Sequence, residues 1–79
     1  MTAIDTTGRH PSTQQIARWF AYEHLPEGSL HRNASATCAQ TARKMIEHLP
    51  DSPELVAGLR HLLEAKDSFV RAAIAAGDG

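Results

Sequence analysis

The chain has little of what small proteins use to hold themselves together. It has one cysteine, Cys38, so no disulfide can close within a copy and a disulfide scaffold is excluded. Its five histidines are scattered and none forms an H-x-x-x-H pair, so a structural zinc has no ligand set to draw on. Charge of one sign is missing as well. Eight Lys and Arg against nine Asp and Glu give a net charge of −1, which excludes the global basic field that draws proteins to DNA or to a membrane surface. No apolar run approaches the roughly 20 residues of a membrane span. The polar stretch from Met1 to Ser12 lacks the apolar segment of a secretory leader, so a cytoplasmic protein is expected, and the free thiol fits that compartment. Asn33-Ala34-Ser35 has the form of a glycosylation acceptor, but without secretion it has no chemistry.

What is present is short: 79 residues, one domain. Below about 70–80 residues a single core seldom supplies more than roughly 3–5 kcal/mol, and with disulfide and metal set aside, oligomerisation is the support that remains.

The pattern along the chain is all-α. Residues 1–11 mix Thr, Asp, Gly, Arg, His and Pro without apolar periodicity and read as a flexible N-terminal arm; residues 12–79 read as a single helical-hairpin domain. A short first helix is expected from Ser12 or Thr13, which can cap it, with Ile16, Trp19 and Phe20 on one face and Pro26 with Gly28 ending it. The second helix runs from around Leu30–Asn33 to Leu49, with an apolar stripe of Cys38, Ala42, Met45 and Leu49. Its opposite face carries Thr37, Gln40, Lys44, Glu47 and His48.

The third helix starts at Asp51-Ser52-Pro53-Glu54, which combines a capping residue, a proline in the first turn and an acid near the positive helix end. No breaker except Gly58 follows until about Ala76, a span of about 36 Å at 1.5 Å per residue. The short Leu49-Pro50-Asp51-Ser52 link makes helices two and three an antiparallel hairpin. Ile16, Trp19, Phe20, Leu62, Leu63, Phe69, Val70 and Ile74 together exceed what one facing helix can cover, and alanines recur along the last helix. A helical interface between copies is the expected outlet.

Chemical motifs are sparse. No G-x-S-x-G elbow and no phosphate-cradling glycine loop occur, Cys38 falls on an apolar stripe, and no catalytic residue or cofactor is expected. A helix-turn-helix DNA reader fits poorly, because Arg60 with Glu64 and Asp67 with Arg71 stand at i, i+4 as self-compensating pairs. One cluster remains. Tyr22, His24, His31 and Arg32 lie close together around the first turn, and an aromatic ring for stacking plus an arginine for phosphate are the parts of a small-nucleotide site. The plainer alternative is that Tyr22 closes the core and Arg32 covers it with its aliphatic stem.

The order of residues carries more. Phe20-Ala21-Tyr22-Glu23-His24, Pro26-Glu27-Gly28, Arg32, the run from Ala42 to Glu54, then Leu59, Leu62-Leu63-Glu64-Ala65 and Ala72-Ala73-Ile74-Ala75 together resemble the small helical-hairpin nucleotide sponges of bacteriophages. That family inhibits bacterial defence systems, CBASS and Thoeris, that signal with cyclic nucleotides. The resemblance covers about residues 20 to 76. It implies a short N-terminal helix before a long antiparallel hairpin, assembly into oligomers, commonly hexamers, and sequestration without cleavage of a cyclic oligonucleotide or a cyclic ADP-ribose isomer in a host cytoplasm. Carried over by motif, Tyr22 stacks on a base, His24 stands nearest to the family's histidine with Glu23 intervening, and Arg32 contacts phosphate. Arg43, Lys44, Lys66 and Arg71 are candidates from charge alone, and the motif does not select among them. Ser68-Phe69-Val70-Arg71 stands where many relatives have Trp and Asn. A helical protein-interaction module without a nucleotide ligand is the alternative from a different class.

Overall fold

A computed structural model describes residues 4–78, in which three helices joined by loops make up the fold and no strand occurs. Helix α1 spans Pro11–Ala17 and tightens into a 3₁₀ turn at Arg18–Phe20; α2 spans Leu30–His48 and α3 spans Pro53–Ala73, followed by a π-helical turn at Ile74–Asp78. The expected short helix and antiparallel hairpin are both present. None of the helices among the described residues is long and apolar enough to cross a membrane.

Local chemistry explains the ends. Ser29 caps α2, its Oγ accepting from Arg32 N at 3.2 Å, and Ser52 caps α3 by accepting from Leu55 N at 3.0 Å, each satisfying an amide without an intrahelical partner. Pro53 occupies the first helical position, where its missing N–H costs nothing. Gly28 has φ +78 in the turn before α2, a left-handed conformation that a side chain would strain.

Two expectations about the beginning of the chain change. The N-terminal arm was expected to be loose up to Pro11; Met1–Ala3 lie outside the described residues, Ile4 and Thr6 lie against α1 and the 3₁₀ turn, and Arg9 and His10 bond to Asp51 in the α2–α3 turn. The arginine at its centre explains why. Arg9 donates from Nη1 to Ile46 O and from Nη2 to Leu49 O at 2.7 Å, a cation on the exposed carbonyls at the end of α2, while its Nε donates to Asp51 Oδ1 at 3.1 Å. Asp51 also accepts from His10 N at 3.0 Å and from the buried Thr13 Oγ1 at 2.8 Å, so one carboxylate gathers arm, α1 and hairpin turn. The cap of α1 is therefore not Ser12 or Thr13. His10 serves, its Nδ1 accepting from Ser12 N at 3.0 Å.

This network makes an acid-dependent contribution to stability. Hydrogen bonds from Arg9, then from the His10 amide and Thr13, hold the Asp51 carboxyl at about 2 in the folded chain, below its ordinary 3.8. A carboxylate depressed on folding stabilises fully above its unfolded value and loses that effect as pH falls through the folded one. Urea midpoints are expected to drop between about pH 4 and about pH 2, and Asp51→Asn should remove that portion of the acid dependence while lowering the midpoint at neutral pH. An unchanged pH profile in the variant would show that the carboxylate does not clamp the turn.

The core forms where α1 and the 3₁₀ turn meet the hairpin: Ile16, Ala17, Phe20, Cys38, Ala39, Ala42, Ile46, Leu55 and Leu59. The buried row of α2 is rotated from the expected stripe, because Ile46 enters the core at 1 % exposure while Met45 and Leu49 remain 39 % and 45 % exposed. Cys38 is buried, and desolvation pushes its thiol up despite the nearby charge of Lys66, which leaves it a packing residue. The molecule measures 39 × 24 × 17 Å, so it is about two helices thick and every helix keeps one face open.

Candidate nucleotide-type binding groove

Alternation within the 3₁₀ turn sets up the site. Phe20 points inward at 1 % exposure, and Trp19 just before it points outward at 61 %. Lys66 on α3 reaches across to the turn, its Nζ donating to Trp19 O at 2.7 Å and lying 6.0 Å from the Phe20 ring centroid. The turn is thereby fixed by a residue 47 positions away. Between the turn, the following loop and the C-terminal half of α3 lies a groove of about 550 Å³ lined by Arg18, Trp19, Ala21, His24, Leu25, Ser35, Lys66, Asp67, Val70 and Arg71.

Its electrostatics differ from those of the whole chain. Arg18, Lys66 and Arg71 face one carboxylate, Asp67, so the groove carries a local surplus of two positive charges on a protein whose net charge is −1. Arg71 is steadied by Ser68, with Nη2 donating to Oγ at 3.3 Å. Trp19 offers an exposed indole face, and His24 adds a ring nitrogen from the loop. Cations beside an open aromatic face suit an anionic ligand with flat rings.

Of the residues expected from sequence, His24, Lys66 and Arg71 meet here. Tyr22 and Arg32 do something else: Tyr22 packs half-buried on the core, Arg32 stands 5.7 Å from its ring centroid, and Arg32 Nη1 donates to Leu25 O at 3.0 Å. The pair braces the 21–29 loop, and the aromatic ring that lines this groove is that of Trp19. Arg43 and Lys44 are exposed on α2 and line none of this groove. Arg18 and Trp19 were missed. The available signal was the Trp19-Phe20 neighbour pair, since adjacent helical residues point about 100° apart and cannot both enter a narrow core.

A second groove of about 550 Å³ lies between α1 and the start of α3, lined by His10, Thr13, Asp51, Val56 and Arg60 among others. Its carboxylate is already held by Arg9, which leaves no charge pattern to match the first groove. Among the described residues no group of three or more His, Cys, Asp or Glu is placed to hold a metal. Compared with known protein families, curated proteins and solved structures, the chain matches none of them.

Proposed function

We propose that the chain is a self-associating, non-enzymatic sponge that captures a cyclic nucleotide messenger, a cyclic di- or trinucleotide or a cyclic ADP-ribose isomer, and withholds it from bacterial anti-phage signalling. The observation that carries this reading is the conjunction in one groove of Arg18, Lys66 and Arg71 with the open face of Trp19. Cyclic nucleotides present flat bases and one negative charge per phosphodiester, and about 550 Å³ lies within the range of small-ligand sites. The resemblance in residue order supports the ligand class. Exposed Leu30, Met45, Leu49, Phe69 and Ile74 support self-association, since a 79-residue chain leaves this much apolar surface open only at a cost in solubility.

Calorimetric titration against a panel of cyclic di- and trinucleotides and cyclic ADP-ribose isomers tests the reading. Binding of at least one member is expected, with the intact ligand recovered after heat denaturation. Silence across the panel favours the helical interaction module, for which exposed Met45 and Leu49 on α2 would be the contact surface. Chemically altered ligand would replace sequestration by catalysis.

A further inference from the structure

Two opposite charges on α3 have no ion-pair partner among the described residues. The i, i+4 pairs expected from sequence do not form among the described residues: Glu64 instead lies 3.6 Å from His61 Nδ1, Arg71 turns to Ser68, and Arg60 and Asp67 stand exposed without an ion pair. They share a face with a short apolar row, because Val56, Leu63 and Val70 recur every seventh residue, each half-buried, with Arg60 and Asp67 set between them. Val56, Arg60 and Leu63 line one groove with Trp19, and Asp67 and Val70 line the next with the same Trp19.

We propose that this face of α3 docks on the same face of a second copy, antiparallel, about a two-fold axis beside Leu63 and Glu64. Residues 63 and 64 lie midway between 60 and 67, so that axis sets each Arg60 against Asp67 of the other copy, twice over. A parallel arrangement in register would oppose Arg60 to Arg60 and Asp67 to Asp67. The face is thus complementary to itself only in the antiparallel sense, which is the condition for a closed two-fold interface. The apolar row of Val56, Leu63 and Val70 supplies the buried surface. Exposed ion pairs add little affinity alone, and their role here is to set direction and register. This inference rests on the self-association proposed above and assigns it a surface.

The test is the mass of the full-length chain by size-exclusion chromatography with light scattering and by sedimentation equilibrium, without any ligand. Arg60→Asp and Asp67→Arg each place like charges across the axis and are expected to raise the dissociation constant roughly tenfold or more. The double variant, with the charges exchanged, should restore wild-type assembly. Circular dichroism should show unchanged helix in all three, since both positions are exposed. An assembled wild type whose mass neither single variant alters would overturn this face and leave self-association standing. Single variants that dissociate without rescue in the double would overturn the reciprocal pairing. A wild type that stays monomeric at high micromolar concentration overturns this inference and self-association together, and leaves ligand capture to the titration.

Discussion

Phe20→Ala is expected to leave a large fraction of the chain unfolded at 25 °C. Phe20 is 1 % exposed and is the largest side chain fully enclosed in the core, where it joins the 3₁₀ turn to both helices of the hairpin. Deleting a buried phenylalanine ring typically costs about 3–5 kcal/mol, from lost transfer energy and the cavity left behind. A core of this size supplies roughly 3–5 kcal/mol in total, so loss and reserve are of the same order. The far-UV circular dichroism signal should fall and the urea transition should lose its native baseline. Trp19→Ala, one residue earlier but on the surface, is expected to change stability by only about 0.5 kcal/mol. Equal effects of the two substitutions would contradict the inward and outward alternation of the turn.

Lys66→Ala is expected to cause the largest loss of ligand affinity of any single change in the groove. Its ammonium lies beside the indole-bearing turn and would meet a phosphodiester as a charged donor, an interaction worth about 1.5–3 kcal/mol, or roughly ten- to 150-fold in dissociation constant. Part of the effect would be indirect, because the same ammonium holds Trp19 O at 2.7 Å and its removal frees the turn. Two companions separate the routes. Arg71→Ala removes a groove charge whose contact is Ser68 on its own helix, so its loss of affinity reads charge alone. Lys66→Arg retains charge but changes the reach to the turn, and should recover only part of the affinity. Titration of all three against the ligand found for the natural chain checks this, and an unaltered affinity in Lys66→Ala would place the ligand elsewhere.

Local signals made the hairpin legible. Ser52 with Pro53 marks the start of α3 through capping chemistry that acts within a few residues, and the short link before Pro53 forces α2 and α3 antiparallel. The limits appeared wherever a distant partner decided the outcome. Pro26 looked like the end of the first helix, yet helical structure stops after Phe20, with Ala21 already extended. The carbonyl of Trp19, which a continuing helix would offer to an amide four residues on, is taken by Lys66. The arm read as loose because Arg9 has no local partner; its partners lie 37 to 42 residues away. On α2 the stripe through Met45 and the one through Ile46 differ by one residue, and only the position of α1 decides which is covered. The candidate groove was half legible for the same reason. His24, Lys66 and Arg71 were available from residue type, whereas Trp19 was read only as one of the surplus apolar residues, and the bond from Arg32 to Leu25 O depends on a loop path that the sequence does not show.

The reach from Arg9 to Asp51 also bears on the time order of folding. As the chain is synthesised, Arg9 is made 42 residues before the carboxylate that holds it, an interval of a few seconds at roughly 5–20 residues per second. Lys66, which pins the 3₁₀ turn, is made later still. Arg9 can therefore seat once Asp51 has been made, before α3 is complete, whereas the 3₁₀ turn waits for Lys66.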